Sequence, residues 1–452
     1  MSECEGRIGT IDRVNGFFGS IKHPLLWLII IGTLIHLFAA VFQIVFDNDY
    51  WALVIRNIEA GNGLYEVTGY YYTPVWGYVL GLVSALQTVF LDLGMDVLRV
   101  VEFFFAEDLP YTYYSATVPS IAFSISTKAP LILSDLILAY LVRSLVVDST
   151  GDVKKGNLAF ILIYMCPLLI GASCITAMPD TIAAMFTVMT VVLLRRDHHF
   201  LAGMTFCIAV LTKFFPVFLF FPLVAYVLMR SRDNGTNGVR NVSAAAFGAV
   251  VALLVVFAPQ LIEGSIESCF QFLTDRTGGS QGDSILSMFT GRMRIIVYGA
   301  ITIASLYVGY YMYKKCRWDA DRALMFYGFL MMALCMIYPP TPQYIVILMP
   351  FLVYWAVTED RRYITSWWMI SLFGLFFALS SNFLVLLPIA AWTGLIDVSV
   401  LSEYFASFVL GDFPVSAVWS IVGGTLTYIG ILSIFWIMFG ENIRRIGGRT
   451  RD

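Results

Sequence analysis

Two aspartates one residue apart, in Asp47-Asn48-Asp49-Tyr50, follow the first long apolar run of the chain. Carboxylates at the water boundary of a membrane helix can serve as a general base, or as a platform for a metal ion or a phosphate. Water-exposed helix ends are also often acidic for no chemical reason, so both readings stand on these residues alone. A third carboxylate lies in Met178-Pro179-Asp180, which breaks another apolar stretch. There Pro179 ends one helix, and Asp180 either caps the next or works in a site. Thr212-Lys213-Phe214-Phe215-Pro216 interrupts the apolar run 201–229. A lysine in such a run is expensive unless it is paired or faces water. Lys213 therefore either attracts a lipid phosphate or snorkels to the interface. Tyr70-Tyr71-Tyr72-Thr73-Pro74 supplies an interfacial aromatic belt or a stacking platform, with Thr73 suited to an N-cap and Pro74 to a first helical turn. The proline-dense turn Tyr338-Pro339-Pro340-Thr341-Pro342 leads to Gln343 and Tyr344, which bring its hydrogen-bonding groups.

The elements that must position these residues are membrane helices. The chain has 452 residues, of which 59% are hydrophobic and 13% charged. Soluble domains carry about a quarter charged residues, so this chain lacks the polar surface to cover itself in water. A crossing takes roughly 20 apolar residues, and candidate spans are 25–46, 128–147, 158–176, 180–195, 200–212, 214–229, 242–262, 294–313, 323–338, 343–357, 366–387 and 413–439. The pattern predicts an all-α, polytopic membrane protein of about 12 transmembrane helices, with interfacial helices in a long first outer loop. The first run is too long and too late for a signal-peptide core, and reads as a retained helix.

Basic residues set the expected orientation. If 73–91 does not cross, 21 of the 28 basic residues fall on the cytoplasmic side, the others being Arg56, Arg99, Lys128, Lys213, Arg276, Arg292 and Arg294. If 73–91 crosses alone, the bias reverses. It is therefore re-entrant or interfacial, or balanced by a second crossing within 97–127. Residues 50–60 place Trp51, Val54, Ile55 and Ile58 at helical spacing, suiting a helix that lies on the membrane surface and ends at Gly61-Asn62-Gly63. The expected organisation is a cytoplasmic N-terminus (1–24), a module 25–262 containing outer loop 47–127, a second transmembrane module 263–439, and a basic tail 440–452.

A net charge of −3 predicts no nucleic-acid partner. The seven cysteines show no CxxC spacing and read as packing residues. The four histidines form no zinc motif. No internal repeat is evident, which weakens an inverted-repeat transporter.

In this order, the motifs resemble those of the GT-C class of membrane glycosyltransferases. They are most like the catalytic subunit of the glycosylphosphatidylinositol mannosyltransferase that adds the first mannose, and polyprenyl-phosphomannose-dependent enzymes. Asp47-Asn48-Asp49-Tyr50 resembles the family's D-x-D-Y. Gly61-Asn62-Gly63-Leu64-Tyr65 resembles its G-x-x-P-Y without the proline. Tyr70-Tyr71-Tyr72-Thr73-Pro74-Val75 resembles Y-x-Y-T-P-L, and Ser134-Asp135-Leu136 the helix carrying an Asp. Cys166-Pro167-Leu168 through Ser173 to Asp180 resembles N-P-L-x-x-x-x-S-x-x-G-x-A-D, lacking its Asn and Gly. Lys213-Phe214-Phe215-Pro216 resembles K-x-Y-P, and Pro342-Gln343-Tyr344 resembles S-Q-Y. The likeness covers about residues 25–355.

The resemblance implies transfer of a sugar, most often mannose, from a polyprenyl or dolichyl phosphate carrier to a lipid-linked or glycan acceptor. The membrane is a prokaryotic cell membrane or the endoplasmic reticulum, with the site on the outer or luminal face. Asp49 is the expected base, and Asp47 and Asp180 orient sugar or acceptor. Lys213 meets the donor phosphate, with Arg276 or Arg292 as second cations; Tyr72, Gln343 and Tyr344 line the site. No cofactor is required, and a divalent metal at Asp47 and Asp49 stays open, although two carboxylates make a poor site. A lipid-linked sugar flippase or secondary transporter, and a non-catalytic scaffold, are the competing classes.

Overall fold

The computed structural model describes residues 23–43, 45–66, 70, 72–91, 98–104, 113–270, 285–337, 342–380, 385–401, 409–410 and 413–448. Helix α1 is Pro24–Ala39 and α2 is Val45–Glu59. Helix α3, Pro74–Leu86, continues as a π turn over Gln87–Leu91. A hairpin follows, with β1 (Leu98–Phe104) antiparallel to β2 (Tyr113–Pro119) and Leu98 opposite Pro119. Then come α4 (Ile121–Thr150), α5 (Val153–Tyr164), α6 (Pro167–Ile170) with a π turn over Gly171–Ile175, α7 (Asp180–Arg195) and α8 (His199–Thr212). A 3-10 turn, Phe215–Leu219, leads into α9 (Phe220–Asp233), followed by α10 (Gly238–Glu263) and α11 (Ile285–Lys315). The chain goes on through α12 (Ala320–Cys335), a 3-10 turn over Pro342–Ile347, α13 (Met349–Thr358), α14 (Tyr363–Trp368), α15 (Gly374–Ser380) and α16 (Leu387–Thr393). A short strand pair, Val409–Leu410 with Phe413–Pro414, precedes the last helix, α17 (Val415–Gly448).

The protein is thus nearly all-α. The expectation of helices alone misses the hairpin in the first loop. Among the described residues, five helices are long and apolar enough to cross a membrane: Ile121–Thr150, Phe215–Asp233, Gly238–Glu263, Ile295–Lys315 and Val418–Gly440. The pair Val153–Tyr164 and Pro167–Ile175, bent by 41°, makes a sixth. Shorter apolar helices, Pro24–Ala39 and His199–Thr212 among them, fall below that length. Phe247, Leu254, Ile262, Ile303 and Tyr307 are large, apolar and exposed. A surface so apolar is compatible with a membrane protein, where lipid covers it.

Close helix approach comes from small residues. Gly203 on α8 faces the backbone carbonyl of Ala245, and Gly248 on α10 faces that of Phe200. A Cβ at either glycine would collide with backbone, so the two helices touch along their main chains.

The helices alternate between two ends of the bundle. At one end Arg195 and Arg230 both pair with Asp321, Arg230 also pairs with Asp197, and Arg322 pairs with Glu359. The other end holds the loops that follow α1, α6, α8 and α12. Segment 73–91 packs against α4, α8 and α10. The Thr73 hydroxyl donates to Leu211 O, Tyr78 Oη donates to Val256 O at 2.7 Å, and Gln87 Nε2 donates to Ser126 Oγ at 2.5 Å. Leu211 and Ser126 lie near the ends of α8 and α4, whereas Val256 lies seven residues before the end of α10. Among the described residues of 97–127 there is no second helix before α4; the hairpin takes its place.

Two boundaries depart from expectation. The first span, predicted over 25–46, ends at Ala39, and α2 begins at Val45. Asp47 and Asp49 therefore stand in the first turns of a new helix, where carboxylates favour the helix dipole. The apolar face of α2 is not left to lipid. Trp51, Val54 and Ile55 are buried against Trp76, Leu80, Phe123 and Leu131. Gly61 ends this segment as expected, with φ +80°.

Candidate functional site

Asp180 begins α7, and its side chain is fully buried. It does not cap the helix: Pro179 holds the N-cap position, with no side-chain cap bond. The Asp180 carboxylate turns instead to Lys213, whose Nζ lies 3.2 Å from Oδ2. Lys213 follows the last residue of α8 in an extended conformation (φ −147°, ψ 137°), which ends that helix. Its side chain is 8% exposed, so the pair is held away from bulk water. Snorkelling does not describe this geometry.

Aromatic rings close around the ammonium. The Tyr72 ring centroid is 5.1 Å from Lys213 Nζ and that of Tyr344 is 5.0 Å, both in cation–π range. Tyr72 is placed by its carbonyl, which accepts from Tyr65 Oη at 2.8 Å, and by its ring, 5.4 Å from Trp51. Tyr344 sits on the 3-10 turn after the prolines and packs on Phe215 at 4.8 Å. Thr73 holds the N-cap position as expected, with Pro74 following it, but its hydroxyl makes no cap bond because it is spent on Leu211 O.

Asp47 reaches the same place. Burial pushes its carboxyl up to about 7; Lys213 pulls down, while Asp49 and Asp180 push further up. Asp49 is also pushed up to about 7 by burial, against the backbone N–H groups of Tyr50 and Thr117. Between the two, Asn48 is buried and anchors α2, its Nδ2 donating to Ile175 O at 3.1 Å. That carbonyl belongs to the π turn Gly171–Ile175, whose irregular bonding is typical of functional positions. Directly after the turn, Ala177 takes φ +54°, a left-handed conformation rare for a residue with a Cβ. The bend aims Asp180 at Lys213.

The structure therefore gathers Asp47, Asp180, Lys213, Tyr72 and Tyr344, with Asp49 one turn edge away on α2. Gln343 shares Tyr344's turn, and its side chain makes no hydrogen bond to another described residue. Arg276 lies outside the described residues, and the side chain of Arg292 does too. Among the described residues no three of His, Cys, Asp and Glu come together as a metal site. Asp47 and Asp49 alone do not fit a divalent ion, and no chemistry below is routed through one.

Three further buried ionisable residues lie outside this cluster: Asp135, of the Ser134-Asp135-Leu136 motif, and His36 and Lys128, which no motif includes. His36 Nε2 lies 3.4 Å from Asp135 Oδ2, both side chains fully buried. His36 Nδ1 meets Gly32 O at 2.8 Å, and the ring stacks on Tyr164 at 4.5 Å. Lys128, also fully buried, donates to Ala40 O and Phe42 O at 2.9 and 2.8 Å. Their one visible signal is an ionisable residue inside an apolar run.

The class the fold and site define is a helical, membrane-compatible protein with one polar cluster at a bundle end. No family model and no curated protein matches the chain.

Proposed function

We propose that this protein is a GT-C-like glycosyltransferase. It moves a sugar, mannose first among candidates, from a polyprenyl or dolichyl phosphate to a lipid-linked or glycan acceptor. The observation that carries the reading is the placement of Asp47 beside the buried Lys213–Asp180 pair, with Asp49 next to it. Base, cation and aromatic wall are the parts such a transfer needs.

An acceptor hydroxyl is a poor nucleophile, and a carboxylate held near neutrality is suited to take its proton at pH 7. Asp49 takes that proton as the hydroxyl oxygen bonds the anomeric carbon. The bond from that carbon to the carrier phosphate breaks, and polyprenyl phosphate leaves with the electron pair. Lys213 faces the charge that develops on the phosphate, and Asp180 holds the ammonium in place beforehand. Asp47 orients sugar or acceptor. Tyr72 and Tyr344 supply faces for a sugar ring. The reading places this end at the outer or luminal surface, the arginine-rich end in the cytoplasm, and twelve crossings between.

Purified protein incubated with radiolabelled polyprenyl-phosphomannose and a crude lipid or glycan acceptor tests the reading. Label in the acceptor is the expected result; none with any acceptor rejects it. One observation favours a second reading. His36 and Asp135 form a buried ionisable pair among apolar residues, as a flippase or secondary transporter would use. Carrier movement across liposomes without transfer would favour that alternative.

A further inference from the structure

Lys128 is the one buried ammonium for which the site has no use. Among the described residues it has no carboxylate partner. A methionine would fill the same space without the cost of burying a charge. Its ammonium is spent on Ala40 O and Phe42 O, carbonyls just beyond α1, where the unpaired acceptors of a helix end favour a cation. The same linker is gripped a second time from α4. Ser124 Oγ donates to Gln43 Oε1 at 2.8 Å, and Gln43 Nε2 donates to Pro119 O at 3.3 Å. Gln43 is itself fully buried. Residues 40–43 thus hang from the first turns of α4, and α2 begins two residues later with Asp47 in its first turn. Asn48 ties the far side of that turn to Ile175 O.

We propose that Lys128 is a positioning residue for the Asp47–Asp49 pair: by holding the carbonyls of Ala40 and Phe42 it sets where α2 starts, and so where both carboxylates meet the acceptor. This rests on the transfer reading. The lysine never touches substrate. It works through the linker, with Gln43 and Ser124 as its second grip. Loss of the grip moves the base without touching Lys213, so acceptor activation suffers and donor binding does not.

The test compares Lys128→Met with Lys128→Gln, whose amide keeps two N–H donors and no charge. Displacing a reacting group by about 1 Å costs on the order of 100-fold. Lys128→Met is expected to lower kcat by about that factor with the donor KM within about twofold, and Lys128→Gln to recover at least about tenfold of the loss. A rise in donor KM with kcat held, or a glutamine no better than methionine, overturns the proposal. A second arm needs no activity. Spin labels at the exposed positions Leu53 on α2 and Leu133 on α4 report the distance between the two helices. That distribution is expected to shift or broaden in Lys128→Met and return in Lys128→Gln; an unchanged distribution in Lys128→Met overturns the proposal. If the wild-type chain transfers no sugar, the transfer reading fails while this distance arm still decides the grip. Where Lys128→Met does not fold, Gln43→Leu loosens the same linker, with a smaller change in the same direction expected and none overturning it.

Discussion

The Lys213 ammonium stands 3.2 Å from Oδ2 of Asp180, with 8% and 0% of the two side chains exposed. One residue follows α8 and the other begins α7, so the pair closes the gap between neighbouring helix ends. Removing one partner leaves the other charge buried, at about 3–5 kcal/mol. Lys213→Met should therefore lower thermal stability in detergent more than the double variant Lys213→Met/Asp180→Asn does. Equal losses would mean that the pair is not coupled.

Lys213→Ala should raise the apparent KM for the lipid donor, because the cation facing the phosphate is gone. Donor-saturation kinetics check it. An unchanged KM would leave Lys213 with a structural role only.

Asp49→Asn should lower transfer by about 10³, within the usual reach of a general base. The same variant should not be less stable at pH 8. The native carboxyl is raised from 3.8 to about 7, so the folded chain holds a proton that the unfolded chain releases. Stability from this group is full below about pH 4 and is lost as pH rises through about 7. Asparagine removes that loss. Full transfer activity in the variant would remove Asp49 as base.

The pH–rate profile follows from the same two groups. Asp47 and Asp49 both titrate near about 7, and their apparent values belong to the pair. kcat/KM should rise with pH through that value as the base loses its proton. A flat profile between about pH 5 and 6, where an ordinary carboxylate is already ionised, would contradict a buried base.

Ala177 bends the chain into Asp180 at φ +54° and is fully buried. A β-branched residue fits that conformation poorly. Ala177→Val should cost about 2 kcal/mol or more, whereas Ala177→Gly should be near neutral, relief of the backbone offsetting lost packing. Thermal unfolding of both variants decides it.

Much of the site could be seen in the sequence where a polar residue breaks an apolar run. Asp180 and Lys213 are such breaks, and Tyr344 follows a cluster of prolines. Their pairing is a matter of which helix ends meet, which no local pattern contains. The first helix was overextended because Ile44-Val45-Phe46 continues its hydrophobicity without a break. At its actual end the Ala40 carbonyl takes a bond from Lys128, 88 residues away. A carbonyl leaves no mark in sequence, so neither the end of α1 nor the start of α2 was legible. The β1–β2 hairpin leaves a weak mark too: Leu98–Phe104 reads Leu-Arg-Val-Val-Glu-Phe-Phe, without the strict alternation that signals a half-buried strand.

The ion pairs at the arginine-rich end bear on how the chain is made. Arg195 and Arg230 precede their shared partner Asp321 by 126 and 91 residues, and Arg322 precedes Glu359 by 37. During synthesis Arg195 and Arg322 emerge well before Asp321 and Glu359, whereas Arg230 emerges 33 residues after its other partner, Asp197. Orientation is set by basic residues while segments insert, when these charges are still uncompensated. Once the acids arrive, the same charges become internal fasteners. On the proposed reading, reversing a helix afterwards would mean breaking these fasteners, so late pairing of Arg195 and Arg322 would lock an early orientation.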